Sequence, residues 1–383
     1  MGSNNHPKFT GIVIGAAALV AGVLPSWGAA PQDHYPLFSW DKIPLYAHLG
    51  KSSGDFTDEE ASFLAARFNF ITIEKRQAVE TRGSTEEGVY FAARQLKKLN
   101  PEMKVLFYWN GFLDYAGYKA HETIAGHPEW YLRDQSGDLA VKKDRWRKYD
   151  LSNPACREWW TDVVKEAVTS APIDGVFLDA VPQITAAGGK KAWGAEKYDA
   201  VQKGLIELMQ LTRRKMGADK VLFYNGIRDG RLGQYLDEAD GAMIEHFGYF
   251  ASAGKEAMAA DMKAMTDAGG QGKIIVFKAW PGFAFSDDAM MSKPHEELAK
   301  LARARITFPL ACFLAAAQEY SYFCYTWGYR ENHGAFDWYP EFDKPLGPPK
   351  GPAKRDGWTY RREFEHASVW ADLANRKASI DWR

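Results

Sequence analysis

Two apolar runs in this chain each end in a carboxylate. Ile173 to Pro182 reads IDGVFLDAVP and closes its run with Asp179 just before a turn; Asp240 to Phe247 reads DGAMIEHF and ends in Glu245. In a parallel barrel, residues at the C-terminal ends of the strands form the active-site rim. Two carboxylates presented there suit acid/base or nucleophilic work at a glycosidic bond. A separation of about 5 Å would make the reaction retaining, and about 6.5 to 9.5 Å would make it inverting. Whichever group donates a proton needs a raised pKa, and like-charge repulsion from its neighbour is one source of it.

The other strand ends are polar and aromatic: His48, Glu74, Asn110, Asn225, His246, Lys278, Trp280, Tyr325 and Trp327. Hydrogen-bonding groups beside aromatic platforms fit a sugar, whose hydroxyls need partners and whose C–H face stacks on a ring. Each residue also has a plainer reading. Asp179 is also read as a helix N-cap, the usual job of a strand-end Asp, whereas Glu is a poor cap. His48 and His246 are also read as satisfied rim histidines, and Glu74 as the partner of Lys75 or Arg76. Lys278 suits a carboxylate or a sugar hydroxyl equally, and Trp280 and Trp327 fit either core or platform.

Positioning these groups requires eight strands, and the sequence offers eight short β-rich runs: Ile43 to Ala47, Phe70 to Ile73, Lys104 to Trp109, Gly175 to Leu178, Val221 to Tyr224, Ala242 to Ile244, Lys273 to Phe277 and Tyr322 to Tyr325. Amphipathic stretches alternate with them, among them Thr57 to Phe68, Glu86 to Leu99, Cys156 to Ser170, Ala195 to Met216 and His295 to Thr307. Strand–helix alternation implies a parallel sheet with right-handed crossovers, and eight units favour closure into a (β/α)8 TIM barrel, an α/β fold. No GxGxxG follows the first strand, so a dinucleotide is not expected. The long connection Gly111 to Asn153 breaks the rhythm after the third strand, and a loop of that length is usually functional. The barrel is expected over residues 31–345. A small β extension follows over 346–383, read as a hairpin of Tyr360 to Asp372 with Ala378 to Trp382.

With 383 residues, 46% hydrophobic and 25% charged, the chain is long enough for one such barrel. A formal net charge of -1 argues against an electrostatic partner, and nothing suggests a nucleic-acid face, because basic groups are short and interspersed with acids. The longest basic group, Lys142, Lys143, Arg145 and Arg147, reads as a solvated loop, with contact to an anionic sugar as the alternative. Lys8 ahead of the apolar run Phe9 to Leu24, with Gly28, Ala29 and Ala30 before Pro31, reads as an export signal over residues 1–30. The mature protein is then expected outside the cytoplasm with no stable membrane insertion; an uncleaved anchor is the alternative. Cys156, Cys312 and Cys324 sit in no metal-ligand spacing, and no disulfide framework is expected.

GVFLDAVP resembles the fourth-strand motif of secreted (β/α)8 proteins grouped as hypothetical glycosyl hydrolases. HPEWYLRDQSG, YDLSNPACREWW over Tyr149 to Trp160, and GPAKRDGWTYRREFEHASVWADL are similar to phrases that precede or close such barrels. The resemblance extends over most of residues 37 to 383. It implies that Asp150 orders the loop before the catalytic strand. In related barrel clans acting on α-linked sugars, the nucleophile ends the fourth strand and the acid/base ends the sixth, the strands that carry Asp179 and Glu245 here. The sixth-strand residue there is most often Asp, and this chain departs with Glu. The resemblance thus implies a secreted glycoside hydrolase acting on a poly- or oligosaccharide, with Asp179 attacking the anomeric carbon and Glu245 serving as acid, then base. No metal or organic cofactor is required. Two rivals stay open. A polysaccharide lyase would use Lys278, Tyr325 or a His as base and release unsaturated, ultraviolet-absorbing sugars. A non-catalytic carbohydrate-binding barrel would tolerate loss of both carboxylates.

Overall fold

The computed structural model describes residues 1–2 and 33–383; the export segment expected at residues 1–30 lies outside the described residues apart from 1–2. In chain order the strands are β1 (Ala47–Leu49), β2 (Phe70–Ile73), β3 (Lys104–Asn110), a small ribbon of β4 (Val141–Lys142) and β5 (Trp146–Arg147), then β6 (Gly175–Asp179), β7 (Val221–Ile227), β8 (Gly241–Phe247), β9 (Ile274–Ala279) and β10 (Ser321–Tyr325). The eight strands other than the ribbon form one parallel sheet in the order β1-β2-β3-β6-β7-β8-β9-β10. Bonds from the Tyr46 amide to the Phe323 carbonyl (2.9 Å) and from the Phe323 amide to the Pro44 carbonyl (2.8 Å) join the first strand to the last. The first strand therefore starts later than its β-rich run suggests, because Pro44 to Tyr46 serve the closing seam while Ala47–Leu49 pair with β2.

These strands are buried along nearly their whole length, which is why they read as continuous apolar runs and not as alternating ones. Their inward side chains fill the barrel with rings: Tyr46, Phe70, Phe223 and Phe177 form a chain of contacts 4.8 to 5.8 Å between centroids. Phe177 sits two residues before Asp179 and thus floors the site. At Gly175 and Gly241, which open β6 and β8, an added Cβ would lie 2.0 and 2.1 Å from the Val221 and Ile274 carbonyl oxygens, so only glycine permits this strand spacing.

Outer helices start where local chemistry caps them. Thr57 accepts from the Glu60 amide (3.2 Å) while Glu60 accepts from the Thr57 amide (2.8 Å), a capping box for Asp58–Arg67. Asn153 caps Pro154–Ser170, with Pro at the first helical position. Asp150 accepts from Ser152 and from Lys197 at 2.9 Å, tying the end of the long connection to the helix Ala195–Met216.

The C-terminal extension has four antiparallel strands, β11 (Lys354–Asp356), β12 (Thr359–Glu363), β13 (Ala367–Asp372) and β14 (Lys377–Trp382), where the sequence suggests a hairpin. A tight turn, closed by the Phe364 amide on the Ala367 carbonyl at 2.8 Å, splits the run Tyr360 to Asp372 into two strands. The sheet packs on the helix Thr307–Ala316, and the buried Arg362 guanidinium donates to the Leu314 and Ala317 carbonyls. Among the described residues no helix is long and apolar enough to cross a membrane. Cys156, Cys312 and Cys324 are all buried and unpaired.

Candidate active site

The C-terminal mouth of the barrel holds one connected polar network. Asp179 ends β6 directly beside Asn110 of β3. Its Oδ2 accepts from the Tyr108 hydroxyl and from Asn110 Nδ2 at 3.0 Å, and its Oδ1 accepts from Asn225 Nδ2 at 2.9 Å. Asn110 is oriented for this task, because its Oδ1 already accepts the Phe112 and Leu113 amides at 2.9 and 2.7 Å. Asp179 caps no helix. The short helix Val181–Ile184 begins after Ala180 without a side-chain cap, and Ala180 itself lies in the left-handed region at φ 77°. A residue with a small side chain suits that turn, which carries the chain away and leaves the carboxylate at the mouth.

Glu245 lies within β8 and not at its end. The β8–β9 register shifts between Ile244 and Phe247, and the β7–β8 register shifts between Asn225 and Ile227. Such irregularities re-aim side chains at barrel rims. Here they let the consecutive Glu245 and His246 approach the same site. Glu245 Oε1 accepts from the Tyr329 hydroxyl at 2.5 Å; Oε2 stands 3.1 Å from His246 Nε2 and 4.0 Å from the Arg228 guanidinium. Trp280 Nε1 donates to the Glu245 carbonyl at 2.7 Å and so fixes the backbone at the shift.

The electrostatics of this pair correct one expectation. Burial alone pushes the Glu245 carboxyl up, but His246, then the Tyr329 and Asn225 hydrogen bonds, hold it well below the usual carboxylate range. Its largest lowering influence is His246, with no like-charge rise from Asp179, so the pKa falls where a rise is expected. Burial and the adjoining carboxylates raise the Tyr108 and Tyr329 phenols, which keeps both as donors.

On the other side of the mouth, His48 Nε2 lies 2.6 Å from Glu74 Oε2, and Lys75 donates to Glu74 and, at 3.5 Å, to the Tyr108 hydroxyl. Burial opposes ionisation of Glu74, yet Lys75 and His48 hold its carboxyl below the ordinary range. The network thus runs from His48 through Glu74, Lys75, Tyr108 and Asp179 to Asn225, which also helps to hold the Glu245 carboxyl low. A cavity of about 610 Å³ lies beside the network and shares Glu74, Lys75 and Tyr329 with it.

Several predicted residues lie elsewhere. Tyr325 points outward, its hydroxyl donating to the Ala302 carbonyl at 2.8 Å in the helix His295–Arg305. Alternation explains this: in β10 it is Cys324 that pairs in register with the inward Lys278. Trp327 is fully buried against Phe283 and His295 and offers no platform. Lys278 is also fully buried; its ammonium donates to the Thr326 carbonyl and hydroxyl (2.5 and 2.8 Å) and lies 3.9 Å from the Trp280 ring centre. Burial pulls that amine down to about 8. Lys278 and Trp280 therefore support the strand carrying Glu245 from beneath.

Tyr108, Tyr329, Lys75 and Arg228 escape a strand-end reading. Tyr108 precedes Asn110 by two and so shares its face, a signal present in the sequence; Tyr329 lies beyond the last strand and gives no such signal. Among the described residues no three His, Cys, Asp or Glu side chains converge as metal ligands would.

The family model described as Hypothetical glycosyl hydrolase family 15 matches residues 97–368 of the chain. No curated protein matches it. Among solved structures the chain is similar to α-L-fucosidase isoenzyme 2 from Paenibacillus thiaminolyticus, with 15% identity, 79% of this chain and 48% of that chain covered, and a TM-score of 0.49. It thus spans about half the length of that fucosidase. It is also similar to an α-galactosidase from Thermus thermophilus (16% identity, 90% and 68% covered, TM-score 0.48) and to an α-amylase from Anoxybacillus (12% identity, 87% and 87% covered, TM-score 0.49).

Proposed function

This chain belongs to Hypothetical glycosyl hydrolase family 15, and from that premise we propose that it cleaves a poly- or oligosaccharide by a retaining mechanism, with Asp179 as nucleophile and Glu245 as acid/base. The observation that carries the reading is Asn225, which donates to Asp179 at 2.9 Å and whose amide also helps to hold the Glu245 carboxyl low. Retaining enzymes hold their two carboxylates about 5 Å apart, and two carboxylates with one asparagine as a common neighbour favour that arrangement.

In the first step an Asp179 oxygen bonds to the anomeric carbon as the bond to the leaving oxygen breaks, and Glu245 delivers a proton to that oxygen. In the second, Glu245 takes a proton from water while the water oxygen displaces Asp179 from the same carbon. His246 Nε2, 3.1 Å from Glu245 Oε2, stands where it can pass the proton needed at the start to that carboxylate. Tyr108, Asn110 and Asn225 fix the nucleophile's orientation, so little reorganisation accompanies attack. The fourth- and sixth-strand positions of the two carboxylates support an α-linked bond. Export of the enzyme through residues 1–30 is part of the same proposal.

The test is release of new reducing ends from a broad panel of polysaccharides and oligosaccharides. Asp179→Asn and Glu245→Gln are each expected to lower turnover at least about a hundredfold. Undiminished turnover in both variants would remove the carboxylate assignment.

A further inference from the structure

We propose that the cavity beside the carboxylate network, which shares Glu74, Lys75 and Tyr329 with it, recognises a negatively charged sugar unit, so that the substrate is an acidic glycan bearing carboxylate or sulfate groups. The inference rests on the glycosidic reading of Asp179 and Glu245 and assigns the chemistry of what they cleave.

Five cations line the cavity, Lys75, Arg76, Lys142, Lys143 and Arg330, against a single acid, Glu74. That one acid is already neutralised by Lys75 and His48. The remaining four cations have no carboxylate partner among the described residues. Lys142 donates only to the Gln183 amide oxygen, at 2.5 Å, and Arg76, Lys143 and Arg330 are exposed at the rim. Elsewhere the lysines are commonly paired: Lys263 with Asp267, Lys293 with Glu297, Lys215 with Glu158 and Asp162. A chain with 48 basic and 49 acidic residues thus gathers uncompensated positive charge at the mouth of its site. Lys142 lies within electrostatic reach of both Asp179 and Glu245, which joins the cationic rim to the reacting groups.

The ribbon β4–β5 delivers much of this charge. Its turn places Lys143 and Asp144 in the left-handed region, φ 54° and 51°, and it carries Lys142, Lys143 and Trp146 over the barrel mouth. The basic stretch that reads in sequence as a solvated loop is therefore part of the cavity wall. Trp146 packs edge-on against Tyr115 at 5.5 Å, and Phe285, 45% exposed, stands across from them. A ring face for the sugar's C–H surface with cations around it matches a pyranose that carries an anion. A neutral sugar would need acceptors as well as donors, and this rim presents mostly donors.

The experiment measures binding of defined oligosaccharides to the full chain carrying Asp179→Asn, by calorimetry at low and at raised salt. The probes are a galacturonate oligomer, a sulfated chondroitin oligomer, a neutral maltooligosaccharide and a glucosamine oligomer. At least one acidic probe is expected to bind ten or more times tighter than the neutral one, with that advantage shrinking as salt rises. Comparing the sulfated chondroitin oligomer with its desulfated form, which keeps the uronate carboxylates, identifies the anion. Adding Lys143→Gln and Arg330→Gln is expected to cost the acidic probe about tenfold and to leave the neutral one unchanged; both residues are exposed, and circular dichroism verifies folding. Equal or tighter binding of the neutral or glucosamine probe, or no response to the added substitutions, would overturn the inference.

Turnover separates the two readings. A neutral glycan cleaved in an Asp179-dependent way, with acidic probes unbound, would overturn the acidic substrate and keep the carboxylate pair. An acidic glycan cleaved equally well by Asp179→Asn and Glu245→Gln would overturn the pair and keep the substrate class. Unsaturated, ultraviolet-absorbing products would mark elimination in place of hydrolysis, with the cationic pocket retained.

Discussion

His246 Nε2 stands 3.1 Å from Glu245 Oε2, and against the upward push of burial that contact is the largest influence holding the glutamate carboxyl below its ordinary range. In His246→Gln the Glu245 carboxyl is therefore expected to rise toward the ordinary range, measured by NMR titration of that carboxyl in both proteins. An unchanged Glu245 titration would remove His246 as the cause of the low value. At this scale the two carboxylates and both asparagines of the network are legible from residue type and strand end. Tyr108 lies inside its strand, two residues before Asn110 and on the same face, so a reading confined to strand ends passes over it, while Tyr325 and Trp327 look like platforms until the alternation of β10 and the packing of its exit turn them away.

Strands β6 and β8 approach their neighbours so closely that side chains are excluded at their first residues. Gly175→Ala would push a Cβ against the Val221 backbone, and a backbone atom cannot swing aside as a side chain does. The expected loss is about 3 kcal/mol of stability, read from a denaturant titration, with residual activity per folded molecule little changed. Element positions are largely visible in sequence because buried parallel strands are short apolar runs and the outer helices keep one polar face. The helix Thr307–Ala316 is the exception. Eight of its ten residues are buried between barrel and C-terminal sheet, so it shows no amphipathic period to find. The register shifts that bring Asn225, Glu245 and His246 together are likewise invisible, since they depend on how two strands pair and not on what either contains.

The barrel and the C-terminal sheet share that apolar helix as a common wall, and Arg362 bonds from the sheet into its carbonyl end. Removing residues 346–383 would leave the helix face bare and the Leu314 and Ala317 carbonyls unsatisfied. A chain ending before residue 346 is expected to partition into the insoluble fraction or to bind a hydrophobic dye, while the full chain does neither. The family resemblance in the sequence covers this tail together with the barrel, as expected of a part that completes a core. The three unpaired cysteines add a property of their own. Cys156 lies on the buried face of the helix Pro154–Ser170, Cys312 in the shared wall and Cys324 in the barrel strand β10, and burial raises the pKa of all three thiols. A thiol reagent can reach them only when those regions open. The enzyme thus carries three native stopwatches, and the order in which they react under mild denaturation would report which part of the molecule breathes first.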